Sequence, residues 1–268
     1  MRIILKALYF VYQWVIFMPL FLLMSITTAL TVSIGSSLGN GNVWGYRPGI
    51  YWGKLSCWLT LSRVKVIGRE NIDPNTSYVF VANHQGAFDI FLIWGFLEHD
   101  FKWMLRRGIT KIPIIGQACK DGGHIIVDER GSKGMMATIR QALNTLKGGM
   151  SLVVFPEGTR TGDGHLSRFK RGAFQLAGMV KLPVVPVTLD GPYRLLKKGS
   201  MSLWPTQLTI TIHKPLPAVT KEEGTEAGIT RLLADSQRVI AESLGDPVQV
   251  FQRPAAKTAE NAESTSAE

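Results

Sequence analysis

The chain begins with an apolar run that no charge interrupts. From Ala7 to Ile34 there is no Asp, Glu, Lys or Arg, and Gln13 and a few hydroxyl residues are its polar members. As a helix, about 28 residues would run ~42 Å at ~1.5 Å each, against a hydrocarbon core of ~30 Å. A permanent membrane segment is expected. A cleavable signal peptide would have a shorter apolar region, about 7–15 residues, followed by a small-residue cleavage site. Pro19 sits mid-run and is expected to kink or split the helix. A second, weaker stretch, Ile50 to Leu61, carries Tyr51, Trp52, Leu55, Trp58 and Leu59 with one charge, Lys54. It is short for a span, and its aromatics suit a membrane interface, although an ordinary core helix would show the same pattern. Arg2 and Lys6 favour a cytoplasmic N-terminus. A hairpin or monotopic anchor over residues 1–62 would keep the rest of the chain on that same face.

From Arg63 the pattern changes to short apolar runs separated by helical periodicity. Val64–Ile67, Tyr78–Ala82, His124–Val127, Ser151–Phe155, Val184–Leu189 and Leu208–Ile212 read as strands. The continuous apolarity of the second predicts burial on both faces of a sheet. Ala87–Leu97, Ser132–Leu146 and Gly172–Val180 read as helices, and Lys221–Leu244 contains a closing one. The alternation predicts an α/β domain with a mainly parallel sheet flanked by helices over residues 63–250. The segment 251–268 has no apolar periodicity and reads as a disordered tail.

Composition narrows the classes. The chain has 268 residues, 46% apolar and only 19% charged, which excludes disorder for its bulk. Two cysteines, Cys57 and Cys119, exclude a disulfide scaffold and a Cys-rich zinc site. Lys and Arg number 30 against 20 acids, for a net charge of +10. A basic and apolar chain points to a membrane surface, nucleic acid or a phosphate-bearing substrate. No basic helix or aromatic–basic repeat supports nucleic acid.

Two constellations carry chemistry, each directly after a buried strand, where α/β sheets bind ligands. The first is Asn83-His84-Gln85-Gly86-Ala87-Phe88-Asp89. His84 is a base poised near neutral pH, and Asp89 can turn back across the loop to fix its tautomer. The bland alternative is a surface His beside a helix N-terminal acid. The second is Phe155-Pro156-Glu157-Gly158-Thr159-Arg160, which continues through Arg168, Phe169, Lys170, Arg171 and Gly172. Its Gly allows close backbone approach and Arg160 offers a fork of donors, so it reads as a phosphate-binding loop, against a solvated turn.

These blocks, in this order and about seventy residues apart, resemble the glycerolipid acyltransferases, most closely the 1-acylglycerol-3-phosphate acyltransferases. The first matches their His-x4-Asp motif and the second their Glu-Gly-Thr-Arg motif. Phe169-Lys170-Arg171-Gly172 and Val184-Val185-Pro186-Val187 look like two further family blocks. The resemblance covers roughly residues 60 to 215. One block departs: the family's Gly-x-x-Phe-Ile-x-Arg strand corresponds to Gly123–Arg130, where Glu129 stands at the Arg position and Arg130 comes one residue late. The resemblance implies acyl transfer from an acyl-CoA or acyl carrier protein thioester to the free hydroxyl of lysophosphatidic acid, without cofactor or metal. His84 would be the base and Asp89 its orienting partner. Glu157, Gly158, Thr159 and Arg160 would bind the acceptor, with Lys102, Arg130 and Lys170 as further substrate-binding residues. It also implies work at a lipid bilayer, here a bacterial inner membrane with the catalytic domain facing the cytoplasm.

Other readings remain in view. The acceptor could be another lysolipid or glycerol 3-phosphate, and a non-catalytic binder of anionic lipid would also explain charge and anchor. Gly35-Ser36-Ser37-Leu38-Gly39 matches the hydrolase elbow Gly-x-Ser-x-Gly but lacks the strand before it that the elbow needs. Asn75-Thr76-Ser77 fits a glycosylation sequon that a cytoplasmic face would silence. His99, His124, His165 and His213 have no ligand-like spacing and read as ordinary core or surface histidines.

Overall fold

The structure, a computed structural model, describes residues 2–127, 131–146 and 149–246. The expected tail, 251–268, and Arg130 lie outside the described residues. The apolar N-terminal run is helical from end to end. Helix α1 (Arg2–Tyr12) passes through a π-turn at Gln13–Phe17 into α2 (Met18–Leu38). Pro19 does not split this run. It lies at the start of α2, and the wider turn just before it carries the ladder past a residue with no N–H to donate. Ile3–Leu38, with a mean hydropathy of 2.2 over its 18-residue window, is long and apolar enough to cross a membrane.

A short α3 (Gly41–Trp44) reverses the chain, and α4 (Arg47–Leu59) returns antiparallel to the first run. Trp52 Nε1 donates to Ser25 Oγ at 2.9 Å, and Tyr12 and Tyr9 donate to the Leu59 and Thr60 carbonyls at 2.8 and 2.9 Å. Helix α4 reconciles the two expectations for Ile50–Leu61. Its Gly49, Gly53, Ser56 and Cys57 are buried, while Tyr51, Leu55 and Trp58 are exposed. The buried face packs backbone to backbone against α5 (Phe88–Phe96). A Cβ on Gly53 would lie 2.6 Å from the Phe91 carbonyl oxygen and the Gly95 nitrogen.

The remaining elements build one seven-stranded sheet in the order β1-β7-β6-β2-β5-β3-β4. They are β1 (Arg63–Ile67), β2 (Val79–Ala82), β3 (Phe101–Arg106), β4 (Ile125–Val127), β5 (Ser151–Val154), β6 (Val184–Asp190) and β7 (Gln207–Ile212). All neighbours are parallel except β6 and β7. Helices α6 (Ile115–Asp121), α7 (Gly131–Thr145), α8 (Gly172–Val180), α9 (Pro192–Leu195) and α10 (Thr225–Leu244) complete the fold. The central strand β2 is buried on both faces, as its unbroken apolarity predicts. Phe80 and Ala82 join the core beneath α4 and α5, and Val79 and Val81 the core beneath α7, α8 and α10. The period of two thus feeds two separate apolar layers.

The strand β3 has no counterpart in the sequence reading. Its sequence Phe-Lys-Trp-Met-Leu-Arg places a lysine inside the sheet, which hides the apolar signal.

The α4–α5 contact has no room for a side chain. Gly53→Ala is expected to lower the thermal midpoint, since overpacking a tight contact costs about 1–3 kcal/mol. Gly162→Ala, where an added Cβ meets nothing within 4 Å, should leave it in place. Thermal unfolding of the two variants in detergent measures the difference.

Candidate active site

The site is made where β2 and β5, adjacent and parallel, end side by side with Val81 opposite Val154. The chain leaves β2 through Asn83, whose amide bridges to β6. Asn83 Nδ2 donates to the Leu189 carbonyl at 2.9 Å, and Leu189 N–H donates to Asn83 Oδ1 at 2.8 Å. Asn83 is therefore held in the sheet, and His84 is the first residue turned toward open space.

His84 is restrained on every side but one. Its backbone N–H donates to Glu157 Oε1 at 2.6 Å, and its carbonyl accepts from Thr161 N–H at 2.9 Å. Its ring stacks on Phe155 with centroids 4.0 Å apart and planes 10° from parallel. Its Nδ1 lies 2.7 Å from Asp89 Oδ2, which also accepts from the Gly86 N–H at 2.8 Å. Asp89 is fully buried in the first turn of α5. Burial pushes its carboxyl upward, opposed by His84 and the loop N–H groups, and the helix N-terminus favours the anion. With the carboxylate accepting at Nδ1–H, the lone pair of His84 is at Nε2.

That side of the ring lines a groove of 530 Å³. Its walls are mostly apolar, including Trp52, Ile90, Trp94, Trp103, Ile109 and Ile115. A second cavity of 90 Å³ shares Trp52, Trp94 and Ile115 with it and reaches Ser25, Thr28 and Ala29 of α2. The groove also has basic residues. Gly158 has φ +76°, and a Cβ there would lie 2.8 Å from Lys170 Nζ and 3.1 Å from Arg106 Nη2. Both cations line the groove beside this glycine. The left-handed backbone and the missing side chain leave room for two cations against the loop.

The other expected site residues take different positions. Glu157, expected to bind the acceptor, points inward. It is buried, its two oxygens accept from His84 N–H and from Ser167 N–H at 2.9 Å, and burial pushes its carboxyl up to about 6. Thr159 and Arg160 are exposed and are not among the residues lining the groove. Lys102, also expected to bind substrate, is almost wholly buried, and its Nζ donates to the Gly122 carbonyl at 2.7 Å and the Gly41 carbonyl at 3.4 Å. Burial lowers it to about 8. Neighbouring His124 accepts from Trp103 N–H on Nδ1, and burial followed by the Lys102 charge lowers it to about 3, so it is neutral.

Arg106 is the groove residue that the sequence reading placed only among general basic charge. It lies four positions after Lys102 on the same strand, at the carboxyl end. Residues at strand ends meet ligands and residues at strand starts meet core. Recognising Phe101–Arg106 as a strand would have pointed to Arg106. The hydrolase-like Gly35–Gly39 segment runs from the last turn of α2 to its C-cap, with helix and no strand before it.

With this geometry in place, comparison with known proteins is direct. Residues 63–190 match the Acyltransferase family model. The chain belongs to this acyltransferase family. A 1-acyl-sn-glycerol-3-phosphate acyltransferase of Chlamydomonas reinhardtii is 32% identical over 217 residues, covering 78% of this chain and 62% of that protein. The chloroplastic enzyme of that name from Arabidopsis thaliana is 32% identical over 195 residues, covering 72% of this chain and 52% of its own length. The chain thus spans less than two thirds of the length of these relatives. The crystal structure of the 1-acyl-sn-glycerophosphate acyltransferase from Thermotoga maritima superposes with a TM-score of 0.69 at 26% identity, covering 94% of this chain and all of that one. The acyltransferase block begins at β1 and ends with β6, and so includes both strand-end loops.

The buried Lys102 sets a pH dependence. Its folded pKa, about 8, lies below the ordinary 10.5, so between these values the unfolded chain holds a proton that the folded chain has released. Its contribution to stability is full above 10.5 and is lost as pH falls through 8. Wild-type stability against denaturant is expected to gain more between pH 7.5 and 10 than that of Lys102→Met, and paired denaturation curves at the two pH values measure this.

Proposed function

We propose that this acyltransferase moves a fatty acyl group from an acyl thioester to the sn-2 hydroxyl of 1-acyl-sn-glycerol 3-phosphate, giving phosphatidic acid. The observation that carries it is the 2.7 Å contact between His84 Nδ1 and buried Asp89 on the wall of an apolar groove that also has two cations. An apolar groove beside cations suits a molecule that is part fatty chain and part phosphate.

In the proposed reaction His84 Nε2 takes the proton of the acceptor hydroxyl as its oxygen attacks the thioester carbonyl. The C–O bond forms, the tetrahedral oxyanion collapses, the C–S bond breaks, and the thiolate takes the proton from the imidazolium. Asp89 holds the ring and stabilises its cationic form. The acceptor hydroxyl is itself the nucleophile, so no enzyme Ser or Cys is acylated and no cofactor takes part. General-base catalysis accounts for roughly 10²–10⁴-fold, and positioning in the groove supplies the rest.

Arg106 and Lys170 bind the acceptor phosphate in this proposal, with Gly158 leaving room for it. Arg160, at the rim, adds to the field that draws the anion in. The donor is an acyl-CoA or acyl carrier protein thioester. The apolar Ile3–Leu38 helix supports attachment to a bilayer, where acceptor and product reside. The flanking Arg2 and Lys6 favour a cytoplasmic N-terminus, and a hairpin or monotopic anchor keeps the catalytic domain on that same face, in this proposal that of a bacterial inner membrane.

His84→Ala is expected to lower turnover by about 10²–10⁴-fold. A comparable rate in that variant would replace catalysis with simple lipid binding. Arg106→Ala combined with Lys170→Ala should raise the KM for lysophosphatidic acid about tenfold or more, with little change in the thioester's KM, because charged hydrogen bonds contribute about 1.5–3 kcal/mol each. Equal effects on both substrates would refute the phosphate assignment. Steady-state assays over a panel of lysolipids and glycerol 3-phosphate identify the acceptor.

A further inference from the structure

One stretch of surface, apart from Ile115 on the groove wall, has no part in the chemistry above. From the loop after β3 into the first residue of α6, Lys111, Ile112, Pro113, Ile114 and Ile115 are consecutive and exposed. Ile112, Ile114 and Ile115 leave 46%, 47% and 44% of their area in solvent. A single exposed aliphatic residue is ordinary, but three within four positions form a patch.

The backbone holds this patch outward under strain. Ile114 has φ +64° and ψ −57°, and Ile115 N–H donates to the Pro113 carbonyl at 2.7 Å. That is the rare, strained form of γ-turn, centred on a β-branched residue. Such strain persists where the surroundings enforce it. Here Gly116 N–H donates to the Ile112 carbonyl at 2.7 Å, and a Cβ on Gly116 would lie 2.4 Å from the Thr110 carbonyl oxygen.

Charge and position identify what the patch meets. From Phe101 to Lys120 there are five basic residues and no acidic one. Exposed Arg107 and Lys111 precede the isoleucines. Ile115 lines both the groove and the small cavity shared with Ser25, Thr28 and Ala29 of α2. The outer side of α2 exposes Leu22, Leu23, Ile26 and Leu30. The patch therefore lies at the edge of the groove, next to a helix whose outer side is apolar and exposed. A second copy of the chain is disfavoured, since a symmetric contact would set these basic residues against themselves.

We propose that residues 107–115 are a second bilayer contact, separate from the N-terminal helix. Ile112 and Ile114 enter the headgroup region of an anionic leaflet, Arg107 and Lys111 meet lipid phosphates, and the groove is held open against the membrane. The proposal rests on the membrane-bound acyltransferase of the preceding section.

The test uses the full chain carrying Ile112→Ser and Ile114→Asn, with Ile115 kept because it lines the groove. Two acceptors are compared: a monomeric hexanoyl lysophosphatidate, and an oleoyl lysophosphatidate embedded in vesicles of phosphatidylcholine and phosphatidylglycerol. Turnover of the vesicle acceptor is expected to fall roughly tenfold relative to the monomeric one. An unchanged ratio overturns the proposal. In parallel, Ile112→Cys labelled with an environment-sensitive dye should shift to the blue on these vesicles, against a blank of the unsubstituted chain treated alike. No shift overturns the contact, and a shift that grows with protein concentration without lipid replaces it with a second copy. If the unsubstituted chain acylates neither acceptor, the acyl-transfer function fails, while the dye still decides the membrane contact.

Discussion

The active site depends on one buried carboxylate that is not itself at the groove. Glu157 follows β5, and its two oxygens accept backbone N–H groups from His84, after β2, and from Ser167, at the far end of its own loop. A buried carboxylate without partners would be strongly unfavourable, so the two bonds are the condition of its burial. They also set the position of His84, the proposed base. With His84 held at its backbone, packed on Phe155 and bonded to Asp89, the ring has one face and one nitrogen left toward the groove. Preorganisation of this kind is what general-base catalysis needs, since a displacement of about 1 Å can cost on the order of 10²-fold.

The groove depends on a different constraint, the close approach of α4 to α5. Glycines at 49, 53 and 95 remove the side chains that would hold these helices apart. The approach brings Trp52 against Phe91 and Trp94, with ring centroids 4.6 and 5.7 Å apart, and Phe21 of α2 packs on the same group. Trp52 and Trp94 then line the groove. The N-terminal helices thus have a structural part of their own. Their inner side seats the groove wall, and their outer side remains apolar and exposed.

Much of the fold was legible because the sheet core is written in unbroken apolar runs. Val79–Ala82 and Ser151–Val154 admit few other readings, and the residues just after them are where a parallel sheet presents chemistry. Strand β3 was not legible. A lysine at its second position is compatible with a strand only because Gly122 and Gly41, distant in sequence, offer their carbonyls to the amine. The same blind spot gave Lys102 a substrate-binding part and left Arg106 unassigned, although the strand reverses their surroundings.

What the chain's sequence determined alone is the local chemistry: a histidine and an aspartate five positions apart across one loop, a glycine and cations in a second, and an apolar helix ahead of both. These follow from residue type and spacing over a few positions. What only the tertiary structure decided is which way each polar group faces. Glu157 turned inward because His84, far away in sequence, supplies a backbone N–H to it, and Arg106 reaches the groove beside Gly158, on a loop also distant in sequence. Hydrogen-bond partners of that kind come from chain crossings, and no local pattern contains them.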